Sequence, residues 1–396
     1  MFAAGHSRYS NPTESSDRPL LSGLGLMKQA TVTFAKSVGF KKELNRRVEN
    51  YFQSNQIKPR DNLSMYLKSF IIITWLVSAW TFTVFAPVPW AIRSIGCVVV
   101  GLAIGAVGMS VGHDANHGGY SRHHRRNRLI GLSYDVIGLS SYLWRFRHNF
   151  LHHTYTNILN HDVEIHGDGL VRMTPDMKHL WYHKFQHLFI WFVYPVIPFY
   201  WSFSDLKIAL FERKYHDHQV PRPSTAEIIT LVGLKLLGVA WLLGIPIYVG
   251  YSPLVAFLGY SIAYMTYGLV ICVVFMLAHV LEPAEFITPH PDSLHIEDEW
   301  AIFQVRTTVD FAPRNPILNW YVGGLNYQTV HHLFPHICHI HYPQLAPILA
   351  DVCEEFGIRY NVYPTFRSAL VANYQWLKVM GQKLDHQRYQ HPLGDQ

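Results

Sequence analysis

The sequence predicts an all-α integral membrane protein, with four transmembrane helices in two hairpins and a helical cap on the cytoplasmic side. Its 396 residues are 49% hydrophobic and only 15% charged, a composition that favours a membrane protein over several soluble domains. Four apolar runs each approach the ~20 residues that a helix needs to cross a bilayer. The net charge is +6 with histidine neutral, and such an excess of Lys and Arg is expected on the cytoplasmic side.

The chain divides into a leader (residues 1–65), a membrane domain (66–363) and a cytoplasmic tail (364–396). The leader's opening stretch, MFAAGHSRYSNPTESSDRPLLSG, lacks the continuous apolar core of a secretory signal peptide and is expected to be flexible. A basic and amphipathic segment follows. Its cations are Lys28, Lys36, Lys41, Lys42, Arg46, Arg47, Lys58 and Arg60.

Two helical hairpins are predicted from the apolar runs. The first pairs residues 69–85 with 91–112 across APVPW, a proline-rich turn too short to hold a domain. The second pairs residues 226–248 with 254–280 across GYSP. Four crossings place both chain termini on the cytoplasmic side.

A shorter apolar stretch, residues 185–201, is predicted to lie at the membrane interface or to be re-entrant. Pro195 and Pro198 interrupt it, so it is a poor continuous span. The loops at 113–184 and 207–222 are both basic, and both should therefore be cytoplasmic. A crossing at 185–201 would place these two loops on opposite sides of the membrane.

Histidine is unusually frequent, with 25 residues in the chain. Three tight groups follow the apolar runs: His113 and His117; His148, His152 and His153; His331 and His332. Residues four apart share one face of an α-helix, so His113 and His117 can bind the same metal ion. Imidazole suits iron, zinc, copper and nickel alike, so the residues alone leave the metal open.

The other two groups predict a second ion. His148 and His152 share a helix face by the same spacing, whereas His153 turns ~100° away from them. His331 and His332 are adjacent and diverge likewise. A lone histidine is usually a surface residue, and His123, His124, His216 and His218 are expected to be that. On the four-span topology, by contrast, all three groups emerge at one membrane face.

The motifs HDANH, HNFLHHTYTN and NYQTVHHLFPHICHIHY resemble the three histidine boxes of the membrane fatty acid desaturases. Order, spacing and position after the hairpins match over residues 66–363. Gln328 opens the third box, as in the front-end and linoleoyl-CoA-type branch, where other branches have histidine. The family uses a further histidine after the fourth span, and His279 occupies that place.

This resemblance implies two iron ions, O2 as co-substrate, and a double bond introduced into a fatty acyl chain. No side chain is basic enough to deprotonate an alkane, so a metal–oxygen oxidant is also what the chemistry demands. The acyl carrier stays open between CoA, acyl carrier protein and a membrane lipid. The chain has no H-P-G-G haem motif, so electrons are expected from a separate ferredoxin or cytochrome b5. Such donors are acidic and suit a basic cytoplasmic face; nucleic acid is not an expected partner.

Ligating imidazoles usually donate their second N–H to a carboxylate or carbonyl. Candidates for this supporting role are Asp114, Asn116, Asn149, Asp162 and Asp310, and Gln328 is a candidate weak ligand or water-positioning group. Further histidines beside the boxes are expected to be supporting or surface residues rather than ligands: His161, His166, His336, His339 and His341.

Three alternatives remain from the sequence. A related di-iron enzyme could hydroxylate or acetylenate an acyl chain or another lipid, because the boxes do not encode the product. A zinc-dependent membrane hydrolase is a second possibility, although the chain has no H-E-x-x-H motif. A non-catalytic metal-binding membrane scaffold is the third.

Overall fold

The computed structural model describes residues 32–289 and 293–383. The predicted flexible opening of the leader, Lys28 of the basic segment that follows it, and the tail beyond residue 383 lie outside these ranges. The described chain is mainly helical, which confirms the predicted helical membrane fold in outline.

Sixteen helices follow one another along the described chain. In order they are α1 (Phe40–Ser54), α2 (Leu63–Phe85), α3 (Trp90–Asn116), α4 (His124–Gly131), α5 (Ser133–Val136), α6 (Ser141–Trp144), α7 (His153–Tyr155), α8 (Gln186–Val193), α9 (Ile197–Lys207), α10 (Thr225–Tyr248), α11 (Pro253–His279), α12 (Trp300–Arg306), α13 (Pro316–Val322), α14 (Gln328–Leu333), α15 (Tyr342–Glu355) and α16 (Phe366–Met380).

Short strands pair into three two-stranded sheets. The strands are β1 (Thr33–Phe34), β2 (Lys214–Tyr215), β3 (His218–Gln219), β4 (His295–Ile296), β5 (Asp310–Phe311) and β6 (Val362–Tyr363). The β1–β4 and β5–β6 pairs are parallel, and β2–β3 is an antiparallel hairpin. The two parallel pairs tie segments that are distant in sequence.

Helices α2, α3, α10 and α11 are long and apolar enough to cross a membrane, and they coincide with the four apolar runs predicted to span it. Two ends differ from the apolar runs. Helix α2 begins at Leu63 and includes Lys68, whose charge limited the predicted apolar run. Lys68 is buried, and its Nζ has a hydrogen-bond partner 2.7 Å away in Nε2 of His339. Helix α3 continues to Asn116 and therefore carries His113.

Small residues let the spans approach closely. A Cβ on Gly101 of α3 would lie 2.3 Å from the carbonyl oxygen of Ala263 in α11, so this contact requires glycine. Gly268 of α11 meets the backbone of Tyr194 and Pro195 in the same way, with a Cβ placed 2.7 and 2.8 Å from their oxygens. The segment around residue 195 therefore packs directly on α11.

The 185–201 stretch is broken, as its prolines predict. Helix α8 ends at Val193, a 3-10 turn covers Tyr194–Val196, and α9 begins at Ile197. None of these pieces is among the helices long enough to span a membrane within the described residues.

Helix α1 joins the cap through one buried apolar face. Phe40, Leu44, Val48 and Phe52, each four residues apart, are all buried and belong to one core cluster with Phe303. Glu299 holds the chain ahead of α1, because its carboxylate accepts hydrogen bonds from the backbone amides of residues 38 and 41.

At the other end of the chain, α16 buries Ala369, Leu377 and Met380. The domain boundaries drawn at residues 65 and 363 stay predictions, since helices on both sides of each pack into the structure.

Candidate metal centre

All eight histidines proposed as ligands come together at one end of the spans. They project from the end of α3, the π-helical turn Arg145–His152, α7, the end of α11 and α14. Seven are buried and His117 is half-buried. The full set is His113, His117, His148, His152, His153, His279, His331 and His332.

The first group contains His113, His117, His148 and His331, whose ring nitrogens lie within 4.8 Å of one another. The rings of His113 and His117 are 4.6 Å apart between centroids, as expected for positions four apart on one helix face. His331 reaches them from α14, with its ring centroid 4.6 Å from that of His113.

The second group contains His152, His279 and His332, again with ring nitrogens within 4.8 Å. The ring of His279, at the end of α11, lies 4.6 Å from His152 and 4.9 Å from His332. His331 and His332 diverge at 88° between ring planes, so adjacent residues serve different groups.

His148 and His152 fall in different groups, although the sequence predicted that they bind one ion; their rings stack with centroids 5.0 Å apart. The segment Arg145–His152 is π-helical rather than α-helical. Hydrogen bonds in a π-helix run from i to i+5, so residues five apart lie above one another. His148 accordingly faces His153, with their Nε2 atoms 3.3 Å apart.

His153 lies between the two groups. Its ring stacks on His332 at 4.2 Å and 14°, while the ring of His331 is 4.7 Å away. His153 therefore contacts both groups.

The donor atoms fit metal binding. Six of these rings carry a buried nitrogen with no hydrogen-bond partner in the described part of the chain: His117 Nε2, His152 Nε2, His153 Nδ1, His279 Nδ1, His331 Nε2 and His332 Nε2. A buried polar atom without a partner costs about 1–3 kcal/mol, so six in one cluster need an explanation. Lone pairs reserved for bound cations supply one.

The electrostatics agree with this arrangement. Burial lowers the pKa of His117, His148, His331 and His332 well below the usual 6.5, and the neighbouring imidazoles lower it further. These rings are therefore neutral at pH 7. A metal requires the neutral form, because the proton and the cation compete for one lone pair.

Comparison with known proteins decides the family. Residues 88–364 match the fatty acid desaturase family model. Over 349 residues, covering 88% of this chain and 94% of the relative, it is 66% identical to the sn-1 linoleoyl-lipid 6-desaturase of Arthrospira platensis. The chain belongs to the fatty acid desaturase family.

Two further relatives extend the comparison. The sn-1 linoleoyl-lipid 6-desaturase of Synechocystis is 53% identical, with 88% of this chain and 98% of the relative covered. The acyl-lipid (8-3)-desaturase of Physcomitrium patens is 32% identical, with 89% and 74% covered. The predicted function, an oxidoreductase that desaturates a fatty acyl chain, is confirmed. These relatives favour desaturation over the hydroxylase, hydrolase and scaffold alternatives.

Three rings of the desaturase are oriented by a hydrogen bond through Nδ1, which leaves Nε2 for a metal. His152 Nδ1 donates to Asp162 Oδ2 at 2.9 Å, a contact predicted for this carboxylate. His332 Nδ1 lies 2.8 Å from the amide oxygen of Gln304. His331 Nδ1 lies 3.3 Å from the hydroxyl of Tyr342. Such partners fix the tautomer and aim the ring.

Gln304, Glu164 and Tyr342 are supporting residues that the sequence did not indicate. Gln304 touches two histidine boxes, because its amide nitrogen also donates to the carbonyl of His153 at 3.2 Å. Glu164 Oε1 lies 3.7 Å from Nδ1 of His148 and pairs with Arg147 at 2.8 Å. No local motif marks Gln304, whereas Glu164 stands only two residues after Asp162.

Within the described part of the chain, none of the other predicted supporting carboxylates and amides apart from Gln328 forms a hydrogen bond to a candidate ligand ring. Asn116 and Asn149 hydrogen-bond to backbone carbonyls instead. The side-chain amide of Asn149 donates to the backbone carbonyl of Asn116 at 2.9 Å, and that of Asn116 donates to the carbonyl of Gly112 at 2.9 Å. Asp310 accepts from the backbone amide of Thr329 at 2.9 Å and from the hydroxyl of Tyr360, and so fixes the start of α14. Burial raises the pKa of Asp310 to about 6.

Asp114 has a different partner. Its carboxylate lies 2.8 Å from Nδ1 of His339, whose Nε2 in turn meets Lys68 Nζ. This buried chain links α2, the end of α3 and the segment after the third box. It explains why a lysine is tolerated inside the first span.

Gln328 is buried, which excludes the alternative that it is an ordinary surface glutamine. Its amide nitrogen lies 2.8 Å from Nε2 of His279, so its side chain faces the second group. The predicted helical position, three and four residues before the histidines of α14, accounts for this direction.

The other histidines of the described chain are not members of either group. His341 lies 3.0 Å from the carbonyl of Lys58, and His336 is half-buried. His161, His166 and His216 are partly or largely exposed, and His123 and His124 are exposed as expected. His218 is buried rather than on the surface, because the β2–β3 hairpin folds its ring towards His161 at 6.0 Å.

Proposed function

We propose that this desaturase acts on a linoleoyl chain esterified to a membrane lipid and introduces a double bond at carbon 6. The relative of that activity from Arthrospira platensis, 66% identical across nearly its whole length, is the observation that carries the proposal. The name of this relative supports a lipid over CoA and acyl carrier protein, the three acyl carriers that the sequence left open. The buried Gln328 beside His279 agrees with the branch that the third box resembles.

Two iron ions are the proposed cofactor, with O2 as co-substrate. The first group, His113, His117, His148 and His331, would hold one ion, and His152, His279 and His332 the other, with His153 between them. Bound iron would supply the O2-dependent oxidant that removes hydrogen from an unactivated methylene, chemistry beyond any side chain. Gln328 would act as a weak ligand or position a water.

The side chains around the proposed ions orient the ligand rings and line the site with apolar surface. Asp162, Gln304 and Tyr342 hold three rings through Nδ1, so each Nε2 faces inward. Phe275 offers an apolar surface at the second group, with its ring 5.5 Å from His152 and 4.9 Å from His279. We assign it to the wall of the site along which an acyl methylene passes.

The proposed topology keeps two hairpins, both termini in the cytoplasm and the histidine cap on the cytoplasmic side. An exposed apolar stripe supports an interfacial position for 185–201, since its members recur every three or four residues. They are Trp181, Phe185, Leu188, Phe192, Val196, Tyr200 and Phe203. Electrons would come from a separate ferredoxin or cytochrome b5.

Expression in a host whose lipids contain linoleate, but no double bond at carbon 6, tests the activity. We expect new chains with an added double bond at carbon 6, located by mass spectrometry of the lipid-bound fatty acids. A product that has gained oxygen instead would identify a hydroxylase. Unsaturation appearing first in the acyl-CoA pool would contradict a lipid-linked substrate.

Metal analysis tests the cofactor. The purified protein should contain about two irons per chain, and His113→Ala, His152→Ala and His332→Ala should each abolish activity, because losing one ligand unbalances the whole site. His123→Ala is the matched control, since that ring is exposed and outside both groups. Active protein that contains stoichiometric zinc and no iron would contradict the assignment of iron as the cofactor.

A further inference from the structure

Helix α4 presents a concentrated basic surface directly after the first histidine box. Arg122, Arg125, Arg126 and Arg128 are all exposed, and Leu129 among them is 71% exposed. We call these five residues the α4 patch. Two carboxylates approach it: Asp61 lies 3.4 Å from Arg122, and Glu227 lies 3.4 Å from Arg128. Four cations against two anions leave the patch positively charged.

The α4 patch is attached to the metal centre through backbone and side-chain contacts. The amide nitrogen of Asn116 donates to the carbonyl of Gly131, the last residue of α4, at 3.1 Å. A Cβ on Gly131 would lie 2.6 Å from the amide oxygen of Asn116, so helix and box are in close contact. Asn116 itself stands between His113 and His117 on the chain.

An aromatic pair continues inward from α4. Tyr134, in α5, contacts Trp144 with ring centroids 5.1 Å apart. Trp144 stacks on His148 at 4.3 Å and 21°, and its ring lies 5.1 Å from that of His117. These ring contacts connect α5, which follows α4 directly on the chain, to the first group.

We propose that the α4 patch is the docking surface for an acidic electron-transfer protein, with Tyr134 and Trp144 filling the path to the first histidine group. This rests on the proposed di-iron function. The donor would supply one electron at each docking event, and the bound metals would need two such electrons before O2 is used. No bond forms in the protein and no proton is transferred.

An anionic lipid surface is the competing occupant of a basic helix. Asp61 favours a protein partner, because it holds the start of the patch in one position. Its carboxylate accepts from Ser121 Oγ at 2.6 Å and from the backbone amide of Arg122 at 2.9 Å, and it lies 3.8 Å from Arg126. A fixed pattern of guanidinium groups around an exposed leucine suits a rigid acidic surface better than a fluid one.

Titration of the full-length protein with a plant-type [2Fe–2S] ferredoxin of net negative charge tests the docking surface. Arg125→Glu/Arg126→Glu should weaken binding at low ionic strength by at least tenfold, because charge complementarity steers and holds such complexes. The difference should shrink as salt screens the charges. Lys178→Glu/Arg359→Glu is the control, since it makes the same change in net charge at exposed cations elsewhere and should bind within threefold of wild type.

Turnover adds a second readout. Ferredoxin-driven turnover of Arg125→Glu/Arg126→Glu should fall, and dithionite with methyl viologen, which needs no docking, should recover the loss. Equal ferredoxin affinity in the patch and control variants overturns the proposal. So does a patch variant that binds ferredoxin normally but purifies with less phosphatidylglycerol, which would make α4 a lipid contact. Binding is measured without turnover, so failure of the desaturase assignment is seen separately in the fatty acid products.

Discussion

Replacing Gln304 by leucine should loosen the metal centre without contact with either ion. Gln304 is fully buried, and its amide oxygen accepts from the hydroxyl of Thr156 at 3.0 Å as well as from the ring of His332. Its amide nitrogen donates to the carbonyl of His153. Leucine preserves most of the volume and removes all three hydrogen bonds.

The expected loss of folding stability depends on which hydrogen bonds remain to the three groups that Gln304 contacted. Thr156 also donates to the carbonyl of His152 at 2.7 Å, so its hydroxyl keeps a partner. The ring of His332 falls back on the Thr156 oxygen at 3.2 Å, a longer contact. The carbonyl of His153 loses a donor. One weakened and one lost partner amount to about 2–4 kcal/mol of folding stability. With His332 less firmly aimed, metal affinity should fall about 10–100-fold.

Chelator competition followed by metal analysis measures the affinity, and thermal unfolding of the metal-free protein measures the stability. Gln186→Leu is the matched control. Gln186 is an equally buried glutamine that bonds the backbone of Arg172 and Leu377 and touches no candidate ligand ring. Both variants should unfold more easily, but only Gln304→Leu should release metal. Equal metal retention in the two variants would refute the reasoning.

Three other outcomes are expected. Asp162→Asn should keep the fold but weaken metal retention about 10–100-fold, because a neutral amide polarises the imidazole less than a carboxylate does; chelator titration at wild-type affinity would count against it. Gln328→Ala should keep most of the iron and lose much of the activity, and Gln328→His should keep iron and some activity; an alanine variant with wild-type turnover would retire the assignment. Cysteine labelling should find residues 178 and 213 accessible from the cytoplasmic side and Ser252 from the other, and opposite faces for 178 and 213 would show that 185–201 crosses.

The four spans could be predicted because crossing a bilayer demands about 20 apolar residues whatever else the chain does. The start of the first span could not. Lys68 ended the apolar run, and the residues that make its burial possible, His339 and the carboxylate of Asp114 behind it, lie far away in sequence. Contacts of this kind depend on the fold and leave no local pattern.

The sequence also predicted which histidines gather at one site, but it did not predict how they divide into two groups. Spacing alone assumes an α-helix, and on that assumption His148 joined His152. The π-helical turn changes the angular step per residue, so His148 contacts His153 as well as His152. Gln304 was missed because its contacts with the histidine boxes depend on the fold, as those of Lys68 do. Its neighbours in the sequence form no motif that marks it.

The π-helical turns at Val107–Gly112 and Arg145–His152 have a consequence for insertions and deletions. Each accommodates extra chain inside a helix just before or within a histidine box. Removing one residue from 107–112 would let α3 become regular, and everything after it would rotate by ~100° about the helix axis. The span would still cross the membrane, while His113 and His117 would turn away from their partners. Alignments and chimaeras of this protein must therefore preserve chain length here even where they exchange side chains freely.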